Sequence, residues 1–354
     1  MRWSSVVGVV VACASPPSGP DRSGQVAISS APLGVSFGPY TMTFGDDPSL
    51  ALPVALTTGS GTNLVAPPVT CVQSLAGVLL YPGGRAIGGE PGSSDVEIQL
   101  AGPSVARVAI AFEVPYRCAH GPEKLTGRTT YTFFPSGRID RVDEDIRAGA
   151  IPDTGSCTCG AGDASYVYAT FWSFRSETDL GPDDTVRTPG SAGARGCTRV
   201  DHHLIAVAYG DEAVEAAGGT YTLSWNMGRA PFGDTTPKRS HSAIAIAPAD
   251  GISCQDLLGR LVDPPLTVGE EIARSEGGIY IDDVMHASAF VITAAAPITA
   301  GLALETSLGG ARHARVTKGG TATSFTAQAV GDRILFWFAE PLMPGEQIVV
   351  EPLF

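Results

Sequence analysis

The chain has 354 residues, 17% of them charged, with 43 Gly, 27 Pro and a formal net charge of −13. This length buries a sizeable core, as one large β-domain or two, and the Gly/Pro density indicates turn-rich all-β structure and argues against a helical bundle. The acidic balance argues against nucleic acid as a partner, because phosphate binding needs clustered Lys and Arg.

Met1-Arg2-Trp3 is a short positive region, and Val6 to Ala12 is an apolar run far below the roughly 20 residues of a spanning helix. Val10-Val11-Ala12-Cys13 places an apolar pair and a small residue before a cysteine. This resembles the lipobox of bacterial lipoproteins. The resemblance implies a signal peptide over 1–12 and a lipid on Cys13, with a plain secretory signal cut nearby as the alternative. Ala14 rather than Asp follows the cysteine, which in Gram-negative members of that family implies the outer membrane or the cell surface. Residues 13–30 contain Ser15-Pro16-Pro17-Ser18-Gly19-Pro20 and are expected to be a disordered tether.

Strand-like stretches follow at Val35–Phe44 and Leu50–Leu56, split by Gly45-Asp46-Asp47-Pro48, and at Leu75–Tyr81. Val96, Ile98 and Leu100 alternate with polar residues, as do Val108, Ile110, Phe112 and Val114. Thr129 to Ile146 reads as a β-hairpin. Pro135 presets φ for a turn, and Gly137 supplies the positive φ that closes a three-residue loop with a bulge. The flank Asp140, Asp143, Glu144, Asp145 is expected to be solvated and to deter edge pairing. Further strands are expected at Tyr166–Phe174, Leu204–Tyr209, Tyr221–Met227 and Ser242–Pro248, with a long loop over 177–196.

Ser253-Cys254-Gln255-Asp256 predicts a short helix near 253–262, with Ser253 as N-cap and Asp256 reciprocating, stopped by Asp263-Pro264-Pro265. Seven compact strands are expected between Gly278 and Val350. The expected organisation is a main β-sandwich region at 31–250, a helical linker at 251–275 and a carboxy-terminal β-region at 276–354, in the same or a second sandwich. The fold class is all-β: an antiparallel β-sandwich or a large super-sandwich.

With Cys13 set aside, Cys71, Cys118, Cys157, Cys159, Cys197 and Cys254 remain. An even set in an exported chain predicts three disulfides. No CxxC pair favours zinc, and no metal or cofactor is expected.

No nucleophile elbow, Walker A loop, HExxH or dinucleotide fingerprint is present in the sequence. Asp201-His202-His203 with Asp282, Asp283 and His286 carry metal-ligand chemistry only if folded together; ordinary surface polarity is the plainer reading. Tyr116, Arg117, His120, Tyr131, Arg138 and Trp172 combine aromatic faces with cations and are candidate ligand-binding residues for an anionic sugar. Trp225 lies in phase with Leu223 and Met227, as a core residue does. The run Tyr131-Thr132-Phe133-Phe134-Pro135-Ser136-Gly137-Arg138-Ile139 resembles a pattern in super-sandwich domains of carbohydrate-processing proteins, and implies the sandwich fold without any catalytic role.

These readings converge on an exported, lipid-anchored envelope protein with a binding or structural role, its partner a glycan, an envelope component or a protein. The alternative is a polysaccharide-acting lyase or hydrolase on the same scaffold.

Overall fold

A computed structural model describes residues 25–44, 53–65, 77–81, 85–86, 93–117, 122–148, 166–175, 185–187, 195–209, 222–226, 230–231 and 238–354. These form an all-β protein with one short helix, Cys254–Gly259. An inner sheet of four strands runs Val26–Ser30, Leu33–Phe37, Tyr40–Thr43, Ala55–Thr58. The main sheet has eight strands in the order Thr185–Arg187, Arg195–Val200, His203–Tyr209, Lys238–Pro248, Arg138–Ala148, Pro122–Phe133, Ala106–Arg117, Ser93–Ala101. A five-stranded sheet is built on Tyr166–Arg175, and a ten-stranded carboxy-terminal sheet occupies Leu266–Leu353. Among the described residues pairing is antiparallel except where Gly77–Tyr81 meets Tyr166–Arg175 and where Ile279–Met285 meets Leu302–Ser307.

The first core lies between the inner and main sheets. Strand alternation sends Tyr131, Phe133, Ile139, Ile205, Val207, Ile244 and Ile246 to one face, where they meet Phe37, Tyr40, Met42, Phe44 and Leu56. Each such fully buried side chain contributes about 1.5–3 kcal/mol relative to exposure. Phe37 packs on Phe133 with centroids 5.4 Å apart, and Phe44 on Tyr131 at 5.3 Å. The carboxy-terminal sheet folds over on itself: Leu266, Phe290, Ile292, Ile348 and Val350 share a core with Tyr280, Leu302, Leu304, Phe336 and Phe338. A third cluster joins the two regions, with Leu100, Val105 and Phe134 against Ile279, Ile281, Leu335 and Trp337.

Several expectations need correction. The segment 13–30 is not a tether throughout, because Val26–Ser30 is a strand whose Val26 is buried against the inner-sheet partner Leu33–Phe37. Val26 and Ile28 lie in period two, a signal obscured beside the Pro/Ser/Gly run. The stretch Val35–Phe44 is two strands, broken at Gly38-Pro39. The helix ends at Gly259, and Leu266–Val268 and Glu271–Glu276, expected in the linker, are strands of the carboxy-terminal sheet. The acidic flank is not solvated: Asp140 and Asp143 are buried with Arg138 and Arg141. Only its far end behaves as expected, with Asp145 exposed at φ 54° beside a register shift.

The Ser253 capping box forms as expected, with its side chain accepting from Asp256 N and the Asp256 carboxylate accepting from Ser253 N. Cys254 then bonds to Cys197 with Cα atoms 5.6 Å apart, pinning the helix to the main sheet through Leu204, Ala206, Ala245, Leu257 and Leu258. Cys71, Cys118, Cys157 and Cys159 lie outside the described residues.

The hairpin at Gly137 closes as the sequence predicts. Gly137 N donates to Phe134 O at 3.1 Å, Phe134 N to Arg138 O at 3.0 Å, and Gly137 has φ 85°. A Cβ there would stand 2.5 Å from Ile246 O. Gly137→Val therefore combines left-handed strain, about 1–2 kcal/mol, with overpacking against fixed backbone, about 1–3 kcal/mol. Thermal melting should fall by several degrees in Gly137→Val and should not fall in Ser136→Ala. Coincident melts for Gly137→Val and wild type would contradict this account of the turn.

Candidate functional site

The strand Arg138–Ala148 carries two ion pairs, one on each face. Arg141 and Asp143 point into the first core, where Asp143 also accepts from Thr129 Oγ1 at 2.6 Å. Arg138 and Asp140 point the other way, toward the chain that leaves the helix. There every guanidinium N–H of Arg138 is used. Nε donates to Asp140 Oδ2 at 2.5 Å and Nη2 to Asp140 Oδ1 at 3.0 Å. Nη1 and Nη2 then clamp Asp263 at 2.7 and 3.2 Å, and Nη1 also reaches Arg260 O at 3.2 Å. Ser275 Oγ donates to Asp263 at 2.9 Å.

His241 completes the row. Its Nε2 lies 2.8 Å from Asp140 Oδ1, while 46% of its side chain is exposed. Burial alone would raise the Asp140 carboxyl, but Arg138 beside it and the His241 hydrogen bond outweigh burial and hold it below the usual carboxylate range. The hydrogen bond to Asp140 raises the His241 imidazole above its ordinary value, against the opposing effects of burial and Arg138. Burial opposes the charge on Arg138 too, yet Asp140 and Asp263 win and raise it. Once His241 is protonated, two cations face two carboxylates.

Beside this row a narrow cleft opens at the junction of the two regions, about 410 Å³ counted out to its solvent mouth. Phe134, Ser136, Arg138, Arg260, Asp263, Tyr280 and Trp337 line it, and the segment 297–301 closes one side. Trp337 is 4% exposed. Its Nε1 and the Ser136 Oγ are buried without a hydrogen-bond partner among the described residues. Asp263 cannot serve as a free carboxylate here, because Arg138 and Ser275 hold both its oxygens. The cleft thus offers donors, and among the described residues it has no second carboxylate placed for glycosidic acid–base work.

The expected site residues do not gather. Tyr131 is fully buried in the first core, opposite Arg141, so it faces away from Arg138. Arg138 has no donor left for a ligand. Tyr116 and Arg117 end the strand Ala106–Arg117, opposite Glu123 and Pro122. Trp172 stands opposite Trp225 in the five-stranded sheet. Cys13 and His120 lie outside the described residues. The acidic and histidine set divides between two places. Asp201 and His202, with φ 46° and 63°, form the tight turn before the strand His203–Tyr209. Asp282 sits in the carboxy-terminal sheet and accepts from Thr306 Oγ1 at 3.0 Å and from His286, whose ring stacks on Phe290 at 4.1 Å. Asp283 pairs outward with Arg333 at 3.1 Å. No group of three or more metal-ligating side chains occurs among the described residues.

Asp263, His241 and Arg260 were not among the expected site residues. In the sequence Asp263 marks only the helix stop, and it lies 125 residues from Arg138.

No protein-family model matches this chain, and no curated protein matches it. Among solved structures, a polysaccharide lyase aligns with 90% of this chain and 47% of its own length, at 9% identity and a TM-score of 0.23. The chain spans about half the length of that enzyme.

The His241–Asp140 contact makes stability depend on pH. An imidazole raised in the folded state stabilises fully below the unfolded value, about 6.5, and loses that contribution as pH rises through the folded value. The melting temperature should therefore fall as pH rises above about 6.5, and His241→Gln should remove that part of the slope. Superimposable pH profiles for the two proteins would refute this role of the contact.

Proposed function

We propose that this protein is an exported envelope protein, anchored through a lipid on Cys13, that binds a carbohydrate chain at the junction cleft. The observation that carries the binding role is the pair of buried, unpartnered polar atoms on two residues that line the cleft, Ser136 and Trp337. Buried hydroxyl and indole N–H groups are nearly always satisfied. Leaving one without a partner costs about 1–3 kcal/mol. A hydroxyl-rich ligand group entering the cleft supplies acceptors to Trp337 Nε1 and Ser136 Oγ.

Export is supported separately by the Cys197–Cys254 bond, which suits an oxidising compartment, and by the lipobox-like run before Cys13. A lyase or hydrolase is the second reading, favoured by one feature: the exposed His241 imidazole backed by the buried Asp140 carboxylate has the form of an oriented general base. Binding is preferred because Arg138 is saturated and Asp263 is engaged.

Binding is tested by affinity electrophoresis against a panel of soluble polysaccharides. Trp337→Phe and Ser136→Ala keep the bulk of the wall and remove one donor each, so each should weaken retardation about threefold to tenfold. No retardation by any polymer, or unchanged retardation in both variants, would end this reading. Anchoring is tested on its own by metabolic labelling with a clickable fatty acid. Wild type should take the label and Cys13→Ser should not. Equal labelling would exclude Cys13 as the attachment point.

A further inference from the structure

The cleft holds a cation of a different kind from its neighbours. Arg138 is saturated, Arg128 pairs with Glu97, Arg239 with Glu144, and Arg333 with Asp283. Arg260 is partly buried at the end of the helix, and among the described residues its guanidinium has no carboxylate within ion-pair distance and no hydrogen bond. Its backbone carbonyl is taken by Arg138. The carboxylates of the junction are committed: Asp140 and Asp263 to Arg138, and Asp256 to the Ser253 cap. Burial accordingly lowers the Arg260 pKa, with Asp256 and Tyr40 compensating only in part.

Two hydroxyls stand near this cation without partners among the described residues. Ser136 Oγ lines the same cleft. Tyr40 OH is buried outside the cleft lining and acts on Arg260 electrostatically, and its ring packs on the Gly137 turn, where a Cβ would lie 3.1 Å from Tyr40 Cε2. Burial raises the Tyr40 phenol, so it is a neutral donor. An unneutralised guanidinium and the unused Ser136 O–H, on two residues that line one cleft, form a site that lacks only an acceptor with negative charge.

We propose that Arg260 receives an anionic substituent of the ligand, a carboxylate or a sulfate ester, with Ser136 donating a hydrogen bond to it from the cleft wall. The inference rests on the carbohydrate-binding reading above and names the ligand as an acidic polysaccharide. The cleft is narrow, so it takes the charged substituent while the rest of the polymer lies outside. A guanidinium presents a fork that matches either group with two parallel hydrogen bonds. The chain as a whole is acidic, with a formal net charge of −13. General electrostatics therefore repel polyanions, and retention of one requires a local cationic site.

The test uses the full chain with three soluble probes: a polyuronate, dextran sulfate and neutral dextran. Wild type should be retained by at least one acidic probe at least tenfold more strongly than by dextran, and the stronger of the two identifies carboxylate or sulfate as the group. Arg260→Gln should lose at least tenfold in that binding, while Arg128→Gln, on an exposed pair away from the cleft, should bind as wild type. Arg260→Lys keeps the charge without the fork and guards against a folding defect; it should bind between the two, with wild-type melting. Equal binding of neutral and acidic probes, or Arg260→Gln binding like wild type, would overturn this assignment and leave carbohydrate binding standing. Failure of every probe to bind would remove both.

Discussion

A buried guanidinium tolerates very little around it, and Arg138 sets the terms for the junction. Desolvating that cation costs several kcal/mol unless carboxylates meet it in good geometry. Asp140 comes from its own strand, and Asp263 from the turn that follows the helix, so satisfying one side chain fixes where the helix exit must run. The carboxy-terminal sheet then approaches closely enough that a Cβ on Gly278 would stand 2.5 Å from Asp140 Oδ2 and 2.8 Å from the Phe134 ring. Glycine is required at 278 for two reasons, since the position also has φ 74°. Removing one partner of such a buried set strands the others, typically at about 3–5 kcal/mol.

The rest of the junction shows the same economy of contact. Gln328 reaches from the edge strand Thr326–Val330 to the backbone of Ser104 and Val105, its Oε1 accepting from both N–H groups at 2.9 and 3.1 Å and its Nε2 donating to Val105 O. One amide side chain thus completes the hydrogen bonding of a buried bend. With the apolar cluster around Phe134 and Trp337, this leaves little freedom for the two regions to slide. The cleft between them is therefore a fixed feature, and its unused donors are held in place by the same contacts that hold the fold.

The hairpin shows what the sequence made legible and what it did not. Pro135-Ser136-Gly137 is local chemistry: φ at Gly137 and the closure of the loop follow from residue types alone. The Ser253 cap was legible for the same reason. The flank Asp140, Asp143, Glu144, Asp145 looks solvated when its charges are counted without their phase in the run Arg138-Ile139-Asp140-Arg141-Val142-Asp143. An Arg and an Asp two apart lie on one face of a strand, and shifting that pair by three puts the second copy on the opposite face. Both faces of this strand are covered, so both pairs are buried. The same phase argument separates Tyr131 from Arg138, which adjacency in the sequence had placed in one candidate site. Asp263 and His241 were beyond reach for another reason. Their partners are 125 and 101 residues away, and no local pattern encodes that pairing.

The arrangement that stabilises the junction also leaves Arg260 unneutralised. Asp263 lies only three residues beyond Arg260, and with no Arg138 present it would be the natural counter-ion for that guanidinium. Arg138 takes both Asp263 oxygens in a bidentate grip, and Ser275 adds a further hydrogen bond to one of them. Asp256, the other carboxylate that acts on Arg260, is held by its own helix cap. Carboxylates are thus close to Arg260 along the chain and still not available to it. Among the described residues that guanidinium has no carboxylate within ion-pair distance, negative charge on Asp256 offsets its burial only in part, and its donors stay free. The contacts that lock the two regions together are in this sense the cause of the one cleft cation left open to a ligand.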